Sequence, residues 1–226
     1  MRRNKIIDIC RYNRLQQHKK CIAFHEAGHA AAIYLNNKAR NLPPIYFQIL
    51  FNEIRNDKDY DLVIYQENHD DSVARVEGGR LIPLLPYSLD SLMHKLIDDN
   101  EIMAPLIKDY LVAFEADVIN LLVGPLAEAK YIYNRDDEPF THRLIGLKAL
   151  KNYGGGSDLA LVREYLESFS ANKQQQDEKL NELFSTACGF VGDSTNWMAI
   201  TKLANYILDS NKNIISYNEV VSVLES

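Results

Sequence analysis

The stretch Ala23-Phe24-His25-Glu26-Ala27-Gly28-His29-Ala30 constrains this chain more than any other. On an α-helix His25 and His29 stand four residues apart, one turn up the same face, so both imidazoles can reach a single ion. Zinc accepts such neutral nitrogen donors and, for catalysis, needs a third protein ligand and one open position. Glu26 projects beside that position, placed to take a proton from metal-bound water. Gly28 costs a helix interior about 1 kcal/mol relative to alanine. Its presence implies that another backbone approaches closely, as the helix bearing a third ligand would.

The surrounding pattern predicts the frame that carries this motif. Cys21, Phe24, Gly28, Ala31 and Tyr34 return at helical steps over 16–37, and Asn36, Asn37 and Pro43-Pro44 close the helix. Ile45 to Phe51 is aromatic and β-branched and reads as a strand, and Leu62 to Tyr65 as a second. Val73–Val76 and Leu81–Leu84 flank Gly78-Gly79 as a hairpin. After Pro86 the chain turns helical: 88–98, then 104–133 with a break near Gly124-Pro125. Further helices are predicted at 157–168, 177–190 and 194–208. The last opens at Ser216, where Glu219 completes a capping box. The expected architecture is one mainly α domain over 1–226, with a small β insertion at 44–86 and a helical part at 105–225.

Composition narrows the partners. The 226 residues are 46% hydrophobic and carry a net charge of −6, which argues against a nucleic-acid binder. The basic beginning, with Arg2, Arg3, Lys5, Arg11, Arg14, Lys19 and Lys20, reads as a solvated helix face. Tyr110 to Ala127 is apolar but interrupted by Glu115 and Asp117, so no membrane span is expected. Cys10, Cys21 and Cys188 form no CxxC pair, which suits a reducing cytoplasm. Cys21 lies near the motif's face but reads as a small buried apolar residue. His69-Asp70-Asp71 reads as a solvated loop, and His18, His94 and His142 show no partner spacing.

The motif in this form resembles the peptidase domain of FtsH-type ATP-dependent zinc proteases. The resemblance continues through Asp117 to Glu128, similar to the family's D-x-I-x-x-L-x-G-R-x-A-E-E. It also takes in Gly154-Gly155-Gly156-Ser157-Asp158-Leu159, similar to T-G-A-S-N-D-[LI], and the closing helices over 197–224. It covers 17–52 and 105–225, and implies a helical zincin-like fold. By position it implies that His25, His29 and Asp158 hold zinc, that Glu26 is the catalytic base and that Glu128 orients a ligand imidazole from behind. It further implies that the strand carrying Ile45, Tyr46, Phe47, Gln48 and Ile49 pairs with an extended substrate. Pro125, Ala129 and Ser157 depart from the family pattern, and no G-x-x-x-x-G-K-[ST] loop is present.

The expected function is a zinc-dependent endopeptidase acting on peptides or unfolded segments, served by a separate ATPase or adaptor and open to homo-oligomerisation. The rival is a non-catalytic zinc-containing interaction protein derived from such a peptidase. Glu26 separates the two, because a structural zinc site has no use for a base.

Overall fold

The computed structural model describes residues 2–51, 73–85, 103–141 and 145–226. Helix α1 (Arg2–Ala31) runs on through a π-helical turn at Ala32–Asn36 and a short turn at Asn37–Ala39. Strands β1 (Phe47–Phe51) and β2 (Ala74–Gly78) follow, then helix α2 (Met103–Arg135) and a 3₁₀ segment at Leu147–Tyr153. Helices α3 (Gly156–Phe169), α4 (Lys173–Gly192) and α5 (Ser194–Asp209) lead to β3 (Ile214–Ser216) and α6 (Tyr217–Glu225). The protein is therefore mainly helical, with one small antiparallel sheet ordered β2-β1-β3. The strand expected at 62–65, the helix at 88–98, and His69, His94 and His142 lie outside the described residues.

Helices α1 and α2 pack antiparallel. Gln17 meets Tyr131, Asn36 meets Asn120 and Arg40 meets Glu115, the numbers falling on one helix as they rise on the other. At their closest approach a Cβ on Gly28 would stand 2.7 Å from Ala127 Cβ and 2.9 Å from the Val123 carbonyl. The glycine thus answers to α2, not to the helix that carries Asp158. One turn away a Cβ on Gly124 would overlap the His29 imidazole. Two glycines and an alanine let the helices meet almost backbone to backbone. Phe24, stacked between Tyr131 and Trp197, fills the neighbouring space, with the Lys130 ammonium 4.5 Å above the Trp197 ring.

Several expected boundaries move, each for a visible reason. Asn36 and Asn37 do not end the first helix, because both are buried and spent on α2. Arg40 Nε donates to Asn36 Oδ1, Asn36 Nδ2 to Asn120 Oδ1, and Asn120 Nδ2 to Asn37 Oδ1. Gly124-Pro125 does not break α2, and Pro125 sits within it against Gly155. Leu81–Leu84 is not the second arm of a hairpin. The N–H groups of Leu81 and Ile82 each donate, at 2.9 Å, to the Asp117 carboxylate, so they are withdrawn from any ladder. Strand β2 pairs with β1 instead, Phe47 opposite Gly78 through Phe51 opposite Ala74.

The strand expected at Ile45–Phe51 begins at Phe47, leaving Ile45 and Tyr46 outside it. It is also central. Ile214–Ser216, which runs into the expected capping box at Ser216, forms β3 and pairs along its far side, Gln48 opposite Ser216 and Leu50 opposite Ile214. Phe47 and Ile49 point into the core and are fully buried. Pro105–Arg135 within α2 is long and apolar enough to cross a membrane, contrary to expectation, but 67% of its apolar window is buried within the fold.

Asp117 is the main anchor of the loop after β2. It is almost wholly buried and accepts from Leu81, Ile82 and the Tyr165 hydroxyl. Asp117→Asn turns one acceptor into a donor facing a donor. The substitution is expected to cost about 1–3 kcal/mol, the penalty for stranding a buried polar group. Urea unfolding of the two proteins measures it.

Candidate metal centre

The histidines of α1 face α2 and the start of α3. His25, Glu26 and His29 are each less than a tenth exposed. Each imidazole is gripped through its outer nitrogen: His25 Nδ1 donates to Glu128 Oε2 at 3.1 Å, and His29 Nδ1 to the Asn120 carbonyl at 2.9 Å. That assignment leaves both Nε2 lone pairs pointing inward. The two Nε2 atoms lie 3.1 Å apart.

Asp158 closes the third side. It sits in the first turn of α3, where a helix N-terminus favours a carboxylate. Its Oδ2 lies 3.2 Å from His25 Nε2 and its Oδ1 3.4 Å from His29 Nε2. One donor atom from each of His25, His29 and Asp158 falls within 4.8 Å of the others. Two nitrogens on a tetrahedral zinc stand about 3.3 Å apart, so the spacing matches. Facing lone pairs repel, and the buried Asp158 Oδ2 accepts no hydrogen bond. A divalent cation among the three removes both problems, so the residues fit zinc.

The glycine run brings Asp158 there. Gly154 adopts a left-handed conformation (φ +70°) after the 3₁₀ segment, and a Cβ on it would press within 3.0 Å of both Glu128 Oε2 and His25 Nδ1. The loop therefore rests directly on the His25–Glu128 pair before α3 begins. This explains the first glycine as a packing requirement; Gly156 faces open space.

Glu26 is set beside the ligands without touching them. Burial raises its carboxyl pKa, against the opposing influence of His25 and His29 and a hydrogen bond from the Val76 backbone. Its Oε2 is buried with no partner. Cys21 stands outside the donor group, and burial pushes its thiol up to about 11. Sequence reasoning missed Asn120, whose carbonyl orients His29, because backbone acceptors leave no residue signature. His18, set aside in the sequence for lack of partner spacing, follows 4-3-4 spacing with Ile22, His25 and His29 and lines the same cleft. Burial lowers the His18 pKa.

That cleft encloses about 690 Å³. Helix α1 is its floor, β2 one wall, and the start of α3 with Leu121 and Glu128 of α2 the other. Sequence β1, expected to face a substrate, is paired on both edges. Strand β2 has an outer edge that pairs with no described strand, and it lines the cleft. No protein-family model and no curated protein sequence matches this chain.

Without metal the cluster holds protons. Burial disfavours charge on His25 and His29, but hydrogen bonds and the charge of Asp158 outweigh it, raising both above the ordinary 6.5. Burial likewise opposes ionisation of Asp158, and the histidines outweigh it, lowering its pKa. A raised folded pKa stabilises fully below 6.5 and ceases to stabilise as pH climbs through the raised value. Metal-free protein should therefore melt at lower temperature as pH rises above 6.5, whereas zinc affinity should increase, because fewer protons must be displaced. Melting curves and zinc titrations across that range read both slopes. Gly124→Ala should abolish tight zinc binding by displacing His29, with helix content retained by circular dichroism.

Proposed function

We propose that this chain is a zinc-dependent peptidase of the FtsH type. The observation that carries the reading is the convergence of two inward Nε2 atoms and a carboxylate beside a buried glutamate whose Oε2 has no partner. When bound, zinc polarises a scissile carbonyl and acidifies water. The chain's own residues supply the rest. His25, His29 and Asp158 hold the ion, while Glu128 and the Asn120 carbonyl keep the imidazoles in one tautomer. Glu26 takes a proton from the attacking water and delivers it to the leaving amine. Burial, which raises its pKa, suits it to both halves of that transfer.

The substrate is a peptide or an unfolded segment. An extended chain adds to the outer edge of β2, which runs beside Glu26. Folded proteins reach the cleft only after a separate ATPase or adaptor in the cytoplasm has opened them.

Purified protein should carry about one zinc per chain, and His25→Ala or His29→Ala should remove most of it, read by elemental analysis. Glu26→Gln should keep zinc and fold while hydrolysis of a casein-like chain falls by about 10²- to 10⁴-fold. A zinc-loaded protein that cuts nothing in a broad peptide library would return the reading to a non-catalytic interaction protein.

A further inference from the structure

Taking the peptidase reading as its basis, we infer that the cleft is closed at one end and receives the free C-terminus of its substrate, with Arg80 binding the terminal carboxylate. The floor of the cleft climbs α1 from His18 through His29 to Ile33, and β2 climbs beside it. Val76 lies level with Glu26, and Gly79 packs on the Ile33 side chain. Beyond Gly79 the chain leaves α1 and crosses to α2, where Leu81 and Ile82 bind Asp117. The Tyr165 hydroxyl of α3 donates to the same carboxylate at 2.9 Å and lies 3.3 Å from the Ile82 carbonyl, so the strap is held by two helices, α2 and α3.

The strap is close to the reacting centre. From midway between His25 and His29 to Ile33 is six residues of helix, about 9 Å. An extended peptide advances about 3.3 Å per residue, so two or three residues fit between the scissile bond and the strap. A longer tail running on along the cleft floor would meet the strap. On this proposal the enzyme removes short pieces from a chain end, where the sequence led to an expectation of internal cleavage.

Arg80 decides which end. It sits in the strap, is exposed and lines the cleft. It forms no ion pair with a described residue, and the Asp117 carboxylate, which feels its charge, is already occupied by Leu81, Ile82 and Tyr165. A free guanidinium offers a bidentate fork to a carboxylate and repels an N-terminal ammonium. In the step, water oxygen bonds to the acyl carbon, the C–N bond breaks, and the water proton passes to the departing amine. A di- or tripeptide leaves, and the shortened substrate bears a new carboxylate.

The test uses an unstructured peptide as its free acid and as its C-terminal amide. With zinc-loaded protein, mass spectrometry should show first cuts two or three residues from the end of the acid. The amide should be cut about 10- to 100-fold less efficiently, as expected for losing a charged hydrogen-bonding partner. Arg80→Gln should erase the difference between the two, and Arg80→Lys should keep part of it. Equal cutting of acid and amide, or first cuts at internal bonds, overturns the proposal. Fluorescence anisotropy of the same peptides on the Glu26→Gln protein separates this from the peptidase reading. If nothing is cut, yet binding needs both the carboxylate and Arg80, the subsite stands and the peptidase reading falls; binding indifferent to both sinks the subsite.

Discussion

The contact on which the rest of the structure depends is the crossing of α1 and α2 at Gly28 and Gly124. A side chain at either position would drive the helices apart or strike His29. Because they touch almost backbone to backbone, the Asn120 carbonyl reaches one imidazole and the Glu128 carboxylate the other. Each glycine sacrifices about 1 kcal/mol of helix propensity. The return is a pair of fixed imidazoles whose outer nitrogens are both hydrogen-bonded.

The same economy of space governs the other walls. Gly154 lets the loop before α3 settle on the His25–Glu128 pair, which brings Asp158 to the two Nε2 atoms. Asp117, three residues before Asn120, anchors the strap that follows β2. One helix, α2, therefore orients both imidazoles and anchors the strap after β2. The π-helical turn at Ala32–Asn36 belongs to this arrangement. It begins at the third of the three fully buried alanines that follow His29, and it ends where Asn36 and Asn37 engage Asn120.

Much of the helical frame was legible because it rests on local signals. The capping box at Ser216 and Glu219 forms as the spacing predicts, and α3 and α5 begin within a residue or so of their expected starts. The β elements were less legible. Ile214–Ser216 is too short to show alternation, and it is a strand only because β1 lies beside it. Leu81–Leu84 has strand-like residues, but its amides are claimed by a carboxylate on a distant helix. Short strands take their state from neighbours, and neighbours are not in the local sequence.

For the site, the division falls along the same line. His25, Glu26 and His29 share one helix, whose regular pitch sets their spacing without help from the rest of the chain. Asp158 and Glu128 lie 133 and 103 residues from His25 in sequence, and the motif alone implies no contact with either. A family resemblance pointed to them, and packing brings them within hydrogen-bonding reach. The substrate-facing strand shows the limit most plainly. The residues of β1 have the stronger strand character, yet β1 is sealed on both edges while β2 lines the cleft. Which edge stays open depends on sheet order, a long-range property that only the tertiary structure decided.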